Sequence, residues 1–135
     1  MVDDKLISKI KGMHINAPIN IKKISKVEKT LEVNFPEDYK EFLLKCNGAE
    51  GKIGKYSYLD LWNIDQVLDM NSEESVKKYT PNFLYIGSDG SELIYAFDYK
   101  SVMGFSVVQM PFESTDIKDA QICALTFNEF VLNRF

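Results

Sequence analysis

Carboxylates are the residues whose spacing in this sequence could support acid–base or metal chemistry. Asp65 and Asp69 are one helical turn apart, Asp60 lies shortly before them, and Asp89 and Glu92 flank a turn. Paired carboxylates can act as general acid and base, or they can hold a divalent cation. None of these sets has the ligand spacing of an EF-hand loop. Turn formation and solvated helix faces explain them better, so we expect no catalytic residue and no metal site.

The other residue types that carry catalysis are scarce. His14 is the only histidine, which excludes any metal site built on two histidines. No GxSxG motif surrounds a serine, and neither cysteine belongs to a CxxC pair. Gly54-Lys55 does not end a phosphate loop, because Ala49 and Tyr56 stand where that loop needs glycine and Ser or Thr. We interpret 48–54 as a flexible connector, and we predict a protein that is not an enzyme and uses no cofactor.

Length and composition predict one soluble domain spanning 1–135. Hydrophobic residues make up 45% and charged residues 27% of the chain, as in ordinary globular proteins. The start of the chain is acidic, unlike a secretory signal, and the apolar stretch 93–97 is far shorter than the roughly 18 residues that suggest a membrane span. Cys46 and Cys123 are interpreted as reduced, buried thiols of a cytoplasmic protein, although a disulfide between them stays open.

Charge is distributed unevenly along the chain. Residues 1–45 contain nine lysines and seven acids, whereas 46–135 contain seven basic and thirteen acidic residues. The net charge of −4 disfavours a nucleic-acid partner, since generic nucleic-acid binders are basic. The acidic part also holds Trp62, Tyr56 and Tyr58, and such a surface suits capture of a basic protein. Three other aromatics of this part are expected in the core: Phe83, Phe97 and Phe105.

The first third of the chain predicts three helices. One spans 4–11, and a second, capped by Asn20, runs to Leu31. The third starts at Phe35-Pro36 and ends at Asn47-Gly48, because proline suits a first helical turn and glycine can adopt a left-handed conformation just past the last one. Its buried stripe comprises Tyr39, Phe42, Leu43 and Cys46.

The rest of the chain predicts strands with helices before and after them. A strand over 56–60 leads to a helix that Asn63 caps with Gln66 and that ends near Met70. Residues 71–79 form either a second short helix or a surface loop. Strands over 83–87, 93–98 and 105–110, separated by turns over 88–91 and 99–104, favour a β-meander. Thr126 and Glu129 form a capping box for a last helix, which directs Phe127, Phe130 and Val131 to the core.

Three segments resemble the SUKH superfamily. Ile24–Gly48 is similar to the family's opening, in which an amphipathic helix and "LGV-x-[LF]-P" lead to "P-x-D-Y-x-x-F-L-x-x-N-G", with Glu32 replacing the glycine. Tyr85–Ser91 resembles the turn "IGSDGSG", with Glu92 replacing its last glycine. Ala124–Phe130 resembles the closing "A-x-S-F-x-E-F". The resemblance runs from about residue 20 to the end.

This resemblance implies an α+β domain whose antiparallel sheet is flanked by N-terminal helices and a C-terminal helix. It also implies protein binding instead of catalysis. Bacterial members act largely as immunity proteins that neutralise polymorphic toxins, many of them nucleases, and other members are related to fungal cell-wall assembly regulators. We therefore expect an immunity protein that binds a toxin domain, as a monomer or weak homodimer, without a membrane or nucleic-acid partner. A regulatory scaffold is the alternative, and a small cation-dependent enzyme is the third hypothesis.

The motif residues have structural roles in this interpretation: Pro36, Tyr39, Phe42, Asn47, Gly48, Gly87 and Gly90. A variable partner would instead contact the residues that decorate the sheet and its connections. The predicted partner-binding residues are Tyr56, Tyr58, Asp60, Trp62, Asp65, Ser88, Asp89 and Glu92.

Overall fold

The computed structural model describes residues 4–100, 106–114 and 116–135. Its seven-stranded sheet is antiparallel throughout, and each strand pairs with the next along the chain. The strands are β1 (His14–Ile15), β2 (Ala49–Ile53), β3 (Ser57–Leu61), β4 (Phe83–Ser88), β5 (Leu93–Asp98), β6 (Ser106–Pro111) and β7 (Gln121–Ala124). The α-helices are α1 (Asp4–Ile10), α2 (Ile21–Leu31), α3 (Glu37–Lys45), α4 (Ile64–Asn71), α5 (Glu74–Tyr79) and α6 (Phe127–Asn133). The α+β class and the flanking helices are confirmed.

Side-chain caps start α2 and α4 where the sequence predicts them. Asn20 accepts a hydrogen bond from the Lys23 amide at 3.0 Å and begins α2. Asn63 and Gln66 form a reciprocal capping box at the start of α4. Each cap satisfies amides that have no partner inside their helix, so these boundaries follow from local chemistry.

An aromatic cluster joins α3 and α6 to the sheet. The Tyr39 ring lies 5.2 Å from Phe97 on β5 and 5.1 Å from Phe127 on α6. Phe42 also contacts Phe127, at 5.1 Å, and Phe130 contacts a second ring of β5. These rings are buried, as predicted for the stripe of α3 and for the last helix. Burial of such large side chains is the main favourable contribution to folding.

The end of α3 differs from the prediction. The helix ends at Lys45 because Cys46 is already extended, with φ −151° and ψ 129°. Gly48 has φ +93°, but its main constraint is space, because a Cβ there would lie 2.6 Å from the Leu61 carbonyl oxygen. Asn47 likewise does not stop the helix: its side chain accepts a hydrogen bond from the Ile64 amide at 2.8 Å and thereby ties α3 to α4.

Three strands were not predicted. The segment interpreted as a flexible connector is strand β2, which pairs along its whole length with β3. β1 and β7 are short, and their hydrogen bonds come from distant partners. Of the two alternatives for 71–79, a short helix or a surface loop, the structure has the helix, α5. Phe105 and 101–104 of the predicted turn lie outside the described residues.

One helix side chain replaces a missing strand contact. β3 pairs with β4 only at Asp60↔Ser88 and Leu61↔Gly87. The backbone groups earlier in β4 that face this side therefore need hydrogen-bond partners from elsewhere. There the buried Asn71 amide donates to the Tyr85 carbonyl at 2.8 Å and accepts from the Tyr85 amide at 2.7 Å. Asn71 thus hydrogen-bonds to β4 as a neighbouring peptide group would.

Asn71→Ala should lower the free energy of unfolding by about 2–4 kcal/mol, because it leaves the buried amide and carbonyl of Tyr85 without partners. Chemical denaturation followed by circular dichroism measures this change. Ser72→Ala is the matched control, since Ser72 is exposed and its loss should cost no more than about 0.5 kcal/mol. Equal effects of the two variants would contradict this role for Asn71.

Candidate functional site

The strand register places polar side chains in a row on one face of the sheet. His14 lies opposite Glu50, Glu50 opposite Asp60, and Asp60 opposite Ser88. Residues that are directly opposite in an antiparallel sheet project to the same face. Leu59 and Leu61 project to the other face and are buried. The row therefore lies on the sheet face that points away from this part of the core.

Two carboxylates meet at the centre of this row. Burial and the charge of Glu50 raise the pKa of Asp60 above its ordinary value of 3.8, while a hydrogen bond from the Trp62 side chain opposes the rise. The Tyr58 hydroxyl donates to Glu50 Oε2 at 2.5 Å. Each carboxylate thus accepts a hydrogen bond from a side chain of the protein but remains beside a like charge. A positively charged group of a binding partner would reduce this repulsion.

Two adjoining hollows surround the carboxylates. The first, of about 620 Å³, is lined by Glu50, Tyr58, Asp60, Ser88, Asp89, Gly90, Ser91 and Phe112. The second, of about 420 Å³, is lined by Asp60, Trp62, Gln66, Asp69, Met70, Glu73, Ser88 and Phe112. We call these two sets of residues the acidic face. Every charged side chain lining it is a carboxylate, and Asp60, Ser88 and Phe112 belong to both hollows.

The turn between β4 and β5 supports this face. Asp89 Oδ1 accepts hydrogen bonds from three successive amides, of Ser91, Glu92 and Leu93, each at 2.9 Å. Gly90 has φ +79°, and a Cβ there would lie 2.8 Å from Tyr58 Cδ1. Glycine at this position thus lets the turn pack against the ring whose hydroxyl bonds to Glu50. Asp89 holds the turn through these hydrogen bonds and also lines the hollow. Its substitution would therefore change the turn itself as well as any contact with a partner.

The structure brings together five of the eight predicted partner-binding residues: Tyr58, Asp60, Trp62, Ser88 and Asp89. Trp62 and Ser88 are each only 6% exposed, so they present an edge and not a whole side chain. The other three predicted residues line neither hollow. Tyr56 is 88% exposed at the β2–β3 turn, Asp65 pairs with Lys23 at 2.9 Å, and the Glu92 carbonyl accepts from the Phe112 amide at 2.7 Å.

Sequence reasoning missed several residues of the acidic face. Glu50 belongs to the segment interpreted as a connector, although its cross-strand partner was predicted. Asp69 lies one helical turn after the predicted residue Asp65, but Glu73 follows the end of α4 and reaches the face from the start of α5. Phe112 had no signal in the sequence, because it follows β6 directly and reaches the face only through the fold. The remaining missed residues are Gln66, Met70 and Ser91.

Another hollow, of about 680 Å³, lies between α2, α5 and the start of β4. Its charged lining is mixed, with Lys29 and Lys77 beside glutamates. Glu28 there already accepts from the Phe35 amide at 2.7 Å and pairs with Lys40 at 3.4 Å. Because internal partners satisfy this carboxylate, the hollow lacks the uncompensated charge of the acidic face.

Other chemical groups give no competing site in the described residues. They contain no group of three or more His, Cys, Asp or Glu side chains placed to hold a metal ion. Cys46 is buried and Cys123 half-buried, both as free thiols. Burial raises the pKa of each thiol to about 11, so both stay protonated and weakly nucleophilic at neutral pH. No helix within these residues has the length and apolar character needed to cross a membrane.

Comparison with known proteins assigns the family. The pattern of the SMI1/KNR4 family (SUKH-1) matches residues 18–133, which is most of the chain. The chain belongs to this family. The SUKH-1 domain is also 29% identical over 109 residues to a curated protein of Bacillus subtilis (strain 168), the uncharacterized protein YnaB, covering 79% of this chain and 69% of YnaB. The SUKH resemblance is thereby confirmed, and SUKH domains are generally non-catalytic domains that bind protein partners.

Asp60→Asn should stabilise this SUKH-1 domain at neutral pH. Because folding raises the pKa of Asp60, the folded state binds the proton more tightly, and stability is lost as pH rises through that pKa. The asparagine variant should unfold at a higher temperature than the natural chain at about pH 7, and the difference should vanish near pH 3. Thermal unfolding across this pH range measures the effect.

Asp65→Asn is the control, since Asp65 pairs with Lys23 and its replacement should leave stability at neutral pH unchanged or slightly lower. A lower unfolding temperature for Asp60→Asn at neutral pH would contradict the assignment of Asp60 as a destabilising carboxylate.

Proposed function

We propose that this SUKH-1 domain is a cytoplasmic immunity protein that binds a basic toxin domain through the acidic face and blocks it without catalysis. The observation that carries the proposal is the charge of that face: both hollows are lined by carboxylates and by no basic side chain. Like-signed groups on an open surface attract an oppositely charged partner and accelerate its approach.

The aromatic residues of the acidic face support a protein partner over a small cation. Phe112 is 46% exposed and lies between the two hollows, and Tyr58 borders one of them. Exposed aromatic side chains anchor protein interfaces, whereas surrounding charges chiefly determine approach and register. The face therefore combines an apolar centre with charged surroundings.

Toxins that cut nucleic acid are the first class to test. A surface that holds phosphates is rich in Lys and Arg. Carboxylates on adjacent strands, such as Glu50 and Asp60, offer acceptors to the same basic side chains. Binding at the acidic face would thus cover the surface that such a toxin needs for its substrate.

The unfavourable charge of Asp60 in the free protein supports a role for this residue in binding. Its charge is disfavoured by burial and by Glu50, so the carboxylate costs stability in the free protein. Groups with perturbed pKa values concentrate at functional sites, where a ligand supplies the missing compensation. A bound lysine or arginine would supply it here.

Affinity capture from the source organism's lysate, at about 50 and 150 mM salt, tests this proposal. The natural chain should retain a basic toxin-like protein that Glu50→Lys and Asp60→Lys fail to retain. Glu129→Lys is the matched control, because Glu129 is an exposed acid outside both hollows. With the purified pair, the association rate should fall several-fold between the two salt concentrations, and the natural chain should abolish the toxin's activity. Equal capture by Asp60→Lys would contradict the proposal, and recovery of housekeeping proteins would favour the regulatory scaffold.

Phe112→Ala should act on the lifetime of the complex. Loss of a central aromatic contact is expected to speed dissociation by about 10- to 100-fold while the association rate changes little. Surface plasmon resonance with the purified partner separates the two rates. Tyr56→Ala is the control, because Tyr56 is a more exposed aromatic that lines neither hollow. Faster dissociation of the Tyr56 variant alone would place the anchor elsewhere.

A further inference from the structure

A small hollow adjoins the acidic face. It has a volume of about 170 Å³ and lies between α5, the strands β4 and β5, and the segment that follows β6. It shares Met70 and Phe112 with the second hollow of the acidic face, and Phe112 also lines the first. We call it the apolar hollow, and its lining residues are Met70, Ser75, Val76, Tyr79, Thr80, Tyr85, Ile94, Phe112, Glu113 and Ser114.

Strand register places the apolar hollow on the same side of the sheet as the acidic face. Ile94 of β5 lies opposite Ser88 of β4, and Ser88 lies opposite Asp60 of β3. Residues directly opposite one another in an antiparallel sheet project to the same face. A single segment of a partner can therefore contact the acidic face and the apolar hollow together.

The buried hydroxyls of the apolar hollow already have hydrogen-bond partners. Those of Thr80 and Tyr85 lie 2.8 Å apart and are bonded to each other, and the Thr80 hydroxyl also donates to the Val76 carbonyl at 3.1 Å. An apolar group that enters would thus leave neither hydroxyl without a partner, which would otherwise be costly. Among the described lining residues only Glu113 is charged, and it is exposed. The hollow therefore suits an apolar group that arrives with basic neighbours.

The volume of the hollow fits one large side chain. An apolar cavity of about 150 Å³ holds a benzene ring, so a hollow of 170 Å³ has room for leucine, methionine or phenylalanine. Its walls are open to a partner, since Met70 and Val76 are half-buried and Tyr79 is 46% exposed.

We propose that the apolar hollow receives one large apolar side chain from the same partner segment whose basic residues contact the acidic face. This proposal rests on the proposed function, because it takes the basic protein partner from there. It adds the chemistry of the recognised segment: lysines or arginines beside a leucine, methionine or phenylalanine. The charges guide the approach of this segment, and burial of the apolar side chain prolongs the complex.

Selection of random dodecapeptides displayed on phage, with the immobilised domain as target, tests this chemistry. The natural chain should enrich peptides that combine basic residues with one of the three apolar residues. Ser75→Phe, which fills the hollow from an exposed position in its lining, should enrich basic peptides without the apolar residue. Ser8→Phe is the matched control, because Ser8 is also an exposed helix serine but lines none of the three hollows. It should select the same peptides as the natural chain.

One enriched peptide, synthesised with a fluorescent label, gives the size of the effect by fluorescence anisotropy. Replacing its apolar residue by alanine should raise the dissociation constant from the natural chain about 10- to 100-fold. The same replacement should change binding to Ser75→Phe little, since that hollow is already filled.

Two results would overturn this proposal and leave the proposed function standing: enrichment of basic residues alone, or an equal effect of the alanine replacement on both chains. Failure to enrich any peptide would also overturn it, whereas capture of the toxin tests the proposed function separately. Enrichment of apolar residues without basic ones would overturn both, because the acidic face would then take no part in binding.

Discussion

The structure of the site depends on the close pairing of β3 with β2 on one side and β4 on the other. Gly48 and Gly87 permit this approach, because a Cβ at either position would collide with the backbone of β3. The pairing sets the register that places Asp60 between Glu50 and Ser88. The hydrogen bonds that build the sheet thus also assemble the acidic face. The glycines of the family motifs are structural residues, and through this spacing they also determine the site.

The same strand serves the core and the acidic face because side chains alternate along it. Leu59 and Leu61 are buried on one side, while Tyr58 and Asp60 project to the other. Side-chain donors from Tyr58 and Trp62 reduce the repulsion between neighbouring carboxylates without removing it. The free-energy cost of the remaining repulsion is small compared with the stabilisation from burial of the aromatic cluster. The domain can therefore carry mutually repelling carboxylates on a stable sheet.

Prediction from the sequence succeeded where the deciding interactions are local. Asn20 and Asn63 start helices through bonds to amides three residues away, and β5 has the predicted bounds of 93–98. β2 was missed because its glycine and charged residues resemble a connector, and only β1 and β3 supply its hydrogen bonds. The predicted end of α3 was wrong for a related reason. Glycine is required at position 48 by a close contact with β3 and not by the end of the helix.

The SUKH family, the α+β class, the acidic second part of the chain and the candidates Tyr58, Asp60 and Asp89 could all be inferred from the order of the residues alone. Local spacing carries that information, since caps, alternation and turn residues act within a few positions. In contrast, the folded chain was needed to show that Glu50 and Phe112 join these residues and that little more than an edge of Trp62 is exposed. Strand register accounts for this difference, because it brings together residues from distant segments and depends on pairing across the whole sheet.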